Sequence, residues 1–385
     1  MWRSFASNVL TLMIVALFLL GGMILWAQTE FRRAGPLDQA ICLRVERGSN
    51  MGRVSEDLEA QGAITSGFLF RVGADYADKA QALKAGSFLV EPGASMEGII
   101  DQITRGGAST CGTEIVYRIG VTRTLAEVRE LDPATNRYVE QAQFNPAEDE
   151  APELYSEKKA MGDTRFRIAL AEGVTSWQIV EALKAMDVLS GEVGEVPPEG
   201  SLAPDSYEIT SGAERADVLA RMQAAQQARI TEAWQNRDED LPIETPEELA
   251  ILASIIEKET GNDEERGVVA SVFVNRLRLG MMLQTDPTVI YGVTEGKGVL
   301  GRGLRQSELR APTPWNTYVI QGLPPTPIAN PGMKSLMAAA NPDDTDFIYF
   351  VAKTLDPSDG HNFAVTLAEH NRNVAEYRRL ERARQ

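Results

Sequence analysis

The chain has 385 residues, of which 43% are hydrophobic and 24% charged, which suits two or three folded domains and excludes a wholly disordered polypeptide. Asp and Glu outnumber Lys and Arg by 55 to 38, for a formal net charge of −17. That balance argues against nucleic acid as a partner, because neutralising phosphates takes a concentration of basic residues, and the acidity reads first as solubility.

From Val9 to Ala27 the run "VLTLMIVALFLLGGMILWA" contains no charge and a single polar residue, Thr11. At ~1.5 Å per residue, a helix of this length spans a ~30 Å hydrocarbon core. Trp2 and Trp26 stand near its ends, where amphipathic rings favour the headgroup layer. A cleaved signal peptide would have a shorter apolar core and small residues at −3 and −1; with Ala27 at −1, Leu25 falls at −3. An uncleaved anchor over residues 8–27 is the favoured reading. Arg3 before the span and Arg32 and Arg33 after it do not orient it. Cys42 and Cys111 are the only cysteines, which permits one disulfide in an oxidising compartment or two buried thiols.

An internal repeat follows. "RVERGSNMGRVSEDLEAQGAI" (Arg44–Ile64) aligns without a gap on "ALAEGVTSWQIVEALKAMDVL" (Ala169–Leu189), matching Gly48 with Gly173, Val54 with Ile179, Leu58 with Leu183 and Ile64 with Leu189. Each copy reads as a short alternating segment, a glycine turn and an amphipathic helix, so two small α+β modules are expected over 28–110 and 166–240. Glycan binding and a purely structural duplication both suit such modules. Between them, Thr122–Gly162 is acidic and broken by prolines, and 111–165 is expected as a mobile insertion or linker.

The last region, 241–385, is expected as a mixed α/β domain. "TPEE" at Thr245–Glu248 is a helix start, with Thr245 as N-cap, Pro246 at the first position and Glu248 closing a capping box. The helix should run to about Thr260 and stop at Gly261 or Asn262. A second helix, about Glu264 to Leu279, carries Val268, Val272, Phe273 and Leu277 on one stripe. "GMMLQTDPTVIYG" and "LPPTPIANPG" read as loops, "DFIYFVAK" as a strand, and Val365–Arg382 as a closing helix.

Two glutamates end the first of these helices. Glu257 lies above Ala250, Ala253 and Ser254, small side chains that leave room for a ligand, and Glu259 lies over Ile255 and Ile256. The negative end of the helix dipole and partial burial both favour a protonated carboxyl there, as glycosidic-bond cleavage requires. On this geometry alone an ordinary solvated glutamate remains open.

"LASIIEKET", "ASVFVNRLRLGMMLQTDPTVIYG", "TPWNTYVIQGLPPTPIANPG" and "GHNFAVTLAEHN" follow in order, and together they resemble the endolytic murein transglycosylase (YceG-like) family. The repeats, with "SLAPDSYEI", resemble that family's LysM-like region. The resemblance implies a single-pass inner-membrane enzyme with residues 1–7 in the cytoplasm and the rest in the periplasm. Its expected activity is cutting nascent peptidoglycan strands to leave 1,6-anhydroMurNAc ends and so limiting strand length, with Glu257 as the catalytic acid and base. It needs no cofactor, and its partners would be glycan strands, the membrane and peptidoglycan synthases. The candidates for holding sugars are Asn275, Gln284, Thr285, Asn316 and Tyr318, each inside a motif of the family type; helix packing for Asn275 and a turn before Pro287 for Thr285 are equal alternatives. Asp286 is the nearby acid that would make a two-carboxylate muramidase, and a non-catalytic peptidoglycan-binding protein is the remaining alternative. His361, Glu369 and Asn371 are expected to be a structural cluster joining the last helix to the core. His361, His370 and Glu369 have no recognised metal-ligand spacing, and no metal is expected.

Overall fold

The computed structural model describes residues 2–107, 109–356 and 359–384, with the side chains of 2–7 and 384 outside that description; the Trp2 ring assigned above to the headgroup layer is among these. Helix α1 (Trp2–Arg32) leads the chain, and its segment Asn8–Arg32 has a mean hydropathy of 2.6 and no burial, long and apolar enough to cross a membrane. The rest is a mixed α+β fold that divides into two compact units.

The first unit comprises Met1–Ile115, Glu127–Gln143 and Ala151–Arg165. Strand β1 (Ile41–Val45) pairs antiparallel with β2 (Gly86–Val90), setting Ile41 opposite Val90 and Val45 opposite Gly86. Between them run α2 (Met51–Ala60) and α3 (Gly67–Tyr76), and α4 (Met96–Arg105) follows. Asn50, Ser66 and Ser95 cap these three helices by accepting the N–H of Arg53, Leu69 and Gly98. Leu43, Leu58, Phe70, Ile99 and Ile103 close the core.

The segment expected as a mobile linker is ordered. It forms β3 (Thr113–Ile119), β4 (Thr124–Asp132), β5 (Arg137–Phe144) and α5 (Glu153–Ala160), and Ala126, Val128, Leu131 and Tyr155 are buried. Charges at alternate positions hid the strands, because an antiparallel sheet buries one face and leaves the other wet. The guanidinium of Arg129 lies 5.0 Å from the Tyr138 ring centre and also pairs with Glu114, so part of the polar sequence is used in packing.

In the second unit (Val116–Ala126, Phe144–Glu150, Phe166–Gln385), β6 (Arg165–Leu170) pairs antiparallel with β7 (Ser206–Ile209). Strands β3 to β7 lie in the order β5-β4-β3-β6-β7. The repeat read from the sequence is a repeat of local structure. Gly48 and Gly173 both take left-handed backbones (φ 80° and 75°), and each is followed by a capped ten-residue helix, α2 in one copy and α6 (Ser176–Ala185) in the other. Leu58 and Leu183 are both fully buried.

The unit continues with α7 (Arg215–Gln235), α8 (Pro246–Glu259), α9 (Arg266–Arg278), α10 (Asp286–Thr294), α11 (Gln306–Leu309) and α12 (Met333–Ala340). The antiparallel pair β8 (Tyr349–Ala352) and β9 (His361–Ala364) precedes α13 (Leu367–Arg384). The stretch read as a loop through "TDPTVIYG" carries α10, with Pro287 in the first turn where its missing N–H costs nothing. Leu252, Ile255 and Ile256 of α8, Val269 and Phe273 of α9, and Leu336 and Ala339 of α12 form one core.

Cys42 and Cys111 form a disulfide, their Cα atoms 5.7 Å apart and 69 residues apart in sequence. Closing a loop of that length stabilises by about 4 kcal/mol in the chain-entropy model. The paired Cys42→Ser, Cys111→Ser variant should therefore unfold at clearly lower urea, and thiol labelling of denatured, unreduced wild type should find no free thiol; two free thiols would contradict the bond.

Candidate active site

Helix α8 brings both glutamates to the site. Its N-cap is Thr245, which accepts the Glu248 N–H at 3.2 Å, whereas the Glu248 carboxylate accepts the Glu244 N–H at 2.6 Å and not that of Thr245, so the expected capping box stays half made. The small face below Glu257 is shared between a loop and a cavity, which Ala250 helps to line. Ser254 accepts the Ile328 N–H at 3.0 Å, and Ala250 and Ala253 are buried. At Ser254 the small side chain admits the proline-rich loop.

Three donors converge on one oxygen of Glu257. Oε2 accepts the Gly332 N–H at 3.0 Å and the Ser335 hydroxyl at 2.7 Å, and Arg266 Nη1 stands 3.5 Å away. Gly332 and Ser335 are the N-cap and third residue of α12, so the carboxylate sits where free N–H groups and the helix dipole favour negative charge. Side-chain exposure is 7% for Glu257 and 6% for Arg266, and such a buried charge persists only with a partner. Arg266 also donates to Ser335 at 2.7 Å and to Asp263 at 3.1 Å, which fixes its head. Oε1 of Glu257 has no hydrogen bond among the described residues, which leaves it to act on a ligand.

A second carboxylate faces this one. Glu172, in the β6–α6 turn beside Gly173, lies against Gly332, and burial followed by the charge of Glu257 raises its carboxyl above the ordinary range. Asp286, the second acid of the muramidase alternative, instead accepts the Tyr318 hydroxyl at 2.7 Å and sits with Glu259.

Glu259 heads a separate cluster. Thr285 donates its hydroxyl to Glu259, and burial raises the Glu259 carboxyl against that hydrogen bond. Two of the sugar-holding candidates, Thr285 and Tyr318, therefore gather around Glu259, not Glu257. Gln284 is exposed in a left-handed turn (φ 50°), its N–H on Thr317 O. The other two hold backbone. Asn275 donates to the carbonyls of Thr345 and Phe347 at 2.6 and 3.0 Å, and fully buried Asn316 donates to those of Glu308, Leu309 and Ala311. His361 pairs with Glu265, its Nδ1 2.7 Å from Oε1, and not with Glu369 or exposed Asn371. Hydrogen bonds from Thr260 and His361 overcome burial and hold the Glu265 carboxyl low.

A cavity of about 720 Å³ lies beside the same loop, lined by Glu199, Gln226, Ile251, Tyr291, Trp315 and Pro327 among others. The short stretch 330–332 serves both places. Asn330 donates to Glu199 at 3.3 Å, Pro331 O accepts from Gln226 at 3.0 Å, and Gly332 donates to Glu257. Gln226 is fully buried, yet its Oε1 has no partner among the described residues. Burial pushes the Glu199 carboxyl up, against donors on Ser176 and Tyr291. Acceptors beside a Trp–Tyr wall suit a ligand with apolar faces and hydroxyl or amide donors.

The YceG-like family model matches residues 43–376. The chain belongs to the YceG-like family. Its relatives include the endolytic murein transglycosylase of Bacillus subtilis, 28% identical over 340 residues covering 88% of this chain and 84% of that one. The endolytic murein transglycosylase of Streptococcus pneumoniae (strain D39) is 28% identical over 344 residues, 88% of this chain and 58% of its own length. A YceG-like protein from Listeria monocytogenes, known from a crystal structure, is 23% identical over a match that covers 87% of this chain and 99% of that one, with a TM-score of 0.47.

Sequence reading missed Arg266, Ser335, Gly332, Glu172 and Glu199 of this YceG-like chain. None of them carried a local signal; even Glu172, inside the repeat, aligns with Arg47 of the first copy.

Glu199 gives a pH signature. Its folded carboxyl is raised above the ordinary value of 4.5, so the native state binds more protons than the unfolded chain above that pH. Stability from this group is present at low pH and is lost as pH rises through the folded value. Urea melts should show Glu199→Gln gaining on wild type as pH climbs above about 4.5. A difference that stays flat with pH would contradict the burial argument.

Proposed function

We propose that this protein is a membrane-anchored lytic transglycosylase that cuts the MurNAc–GlcNAc β-1,4 bond inside glycan strands and limits their length. The observation that carries the reading is the buried Glu257 carboxylate, fixed through Oε2 by Gly332, Ser335 and Arg266, with Oε1 free of protein partners. The names of the Bacillus and pneumococcal relatives support the same substrate and reaction.

In the first step Glu257, which must take up a proton even though Arg266 and the α12 N-terminus favour its carboxylate, gives that proton to the oxygen leaving the anomeric carbon of MurNAc, and that C–O bond breaks. Arg266 and the α12 N-terminus balance the carboxylate that results. In the second step, the C6 hydroxyl oxygen of the same MurNAc bonds to the anomeric carbon and its proton passes to Glu257. Glu257 returns to its starting state, the product carries a 1,6-anhydro end, and no water is consumed. The cavity with Trp315 and Tyr291 is suited to hold neighbouring sugars. The two repeated modules are read as LysM-like glycan binders, α1 as the inner-membrane anchor, the remainder as periplasmic, and peptidoglycan synthases as a further partner class.

One observation favours a second reading. Glu172 lies against Gly332 beside Glu257, and two facing carboxyls are the arrangement of a hydrolase that activates water.

Glu257→Gln in the full-length protein should lower glycan cleavage by ~10²–10⁴-fold or more, because both proton transfers need the carboxyl. The fold should survive, since Arg266 keeps Asp263 and Ser335, and thermal melting checks this. Glu259→Gln should stay active. Near-normal cleavage by melted-and-verified Glu257→Gln would refute the assignment, and a dead Glu259→Gln would move the site to the Thr285 side of the helix.

A further inference from the structure

Helix α3 has two apolar faces, and only one has a protein partner. Phe70 and Ala74 are buried in the core of the first unit. Phe68, Val72 and Tyr76, spaced four apart, form a second stripe that is 65%, 46% and 87% exposed. Outside α1, the one other large hydrophobic side chain exposed in this unit is Val139, among the described residues.

What lies beside the stripe is the end of the apolar helix. A Cβ at Gly73 would overlap the Phe31 ring, so α3 and α1 meet at contact distance there. Thr65 donates to Glu30 at 3.1 Å and Arg32 pairs with Glu97 at 3.3 Å, which locks the last turn of α1 to this unit. Phe31 is four residues past Ala27, the last residue of the uncharged run, or ~6 Å along the helix. That distance is the depth of the headgroup layer. A cavity of about 550 Å³ opens between the two helices, walled by Ile24, Ala27 and Phe31 from α1 and by Leu69, Val72 and Tyr76 from α3. Ile24 and Ala27 belong to the membrane-crossing run, so the cavity opens toward hydrocarbon.

We infer that α3 is a membrane-surface helix: its Phe68–Val72–Tyr76 stripe enters the headgroup–acyl boundary of a phospholipid bilayer, and an acyl chain fills the cavity against α1. Continuity of the stripe and cavity with the anchor selects lipid as the occupant over a second copy of the chain or a partner's helix. Interfacial helices bury an apolar face in this way. Held by two attachments, the first unit would be fixed in height and tilt above the membrane, not free to swing on α1. The inference rests on the reading of α1 as an uncleaved anchor.

The disulfide leaves no free cysteine among the described residues, so single cysteines can be labelled in the intact chain. Phe68→Cys, Val72→Cys and Tyr76→Cys would carry nitroxides in full-length protein reconstituted in phosphatidylethanolamine–phosphatidylglycerol vesicles. Leu20→Cys on α1 and Glu56→Cys on an exposed turn of α2 are the lipid and water references. Collision rates with oxygen and with a water-soluble nickel chelate would be measured for each. The expected oxygen-to-nickel ratio at all three α3 sites is several-fold above Glu56→Cys and below that of the deeper Leu20→Cys. A ratio equal to that of Glu56→Cys would overturn the inference by showing water at the stripe. Exclusion of both reagents would overturn it by showing a protein cover. Loss of Leu20→Cys from the vesicles would overturn it through the anchor itself, a signature distinct from the other two.

Discussion

The second unit is organised around one buried ion pair, Glu257 with Arg266, set at the first turn of α12. Neither charge is sustained alone at 6–7% exposure, so the helices that carry them must stay in register. The turn from Thr260 to Glu265 reverses the chain tightly enough for Arg266, the first residue of α9, to reach back past the end of α8. Thr260 and His361 both bond Glu265 at that turn, tying it to β9. The Leu252, Phe273 and Leu336 core then packs behind the pair. Apolar packing supplies the bulk of the stabilisation, and the ion pair, with Asp263 and Ser335 also on Arg266, joins the ends of the three helices.

Local features were legible in the sequence and remote partnerships were not. The repeat was visible because Gly48 and Gly173 both serve left-handed turns and the buried positions recur in phase. The start of α8 was visible because Thr245 and Pro246 act on their own neighbours. Ser335 and Gly332 lie more than seventy residues from Glu257, and no local pattern marks them as its donors. Polar residues in long motifs misled in an instructive way. Asn316 and Asn275 hold loop carbonyls, a need that follows from burying irregular backbone and cannot be read until the burial is known. The segment 122–162 misled for the opposite reason, since high charge on the wet face of a sheet resembles a linker.

The two glutamates of α8 have diverged in environment although they are two residues apart. A two-residue step on a helix turns the side chain to the other side, so Glu257 meets α12 and Glu259 meets Thr285. Glu257 is met by donors on one oxygen and by Glu172 nearby, whereas Glu259 is buried with a hydroxyl and near Asp286 and Tyr318. The loop 326–332 spans the small-residue face between Glu257 and the Trp315 cavity, so a strand held in that cavity and a bond presented to Glu257 would share one rigid support.

Whether the nucleophile is the sugar's own C6 hydroxyl or a water paired with Glu172 decides the class of enzyme. Mass spectrometry of fragments released from uncrosslinked glycan by the full-length protein measures this directly, because the two ends differ by one water. The account predicts fragments ending in 1,6-anhydroMurNAc. Fragments with reducing ends would contradict it by showing that water is the nucleophile.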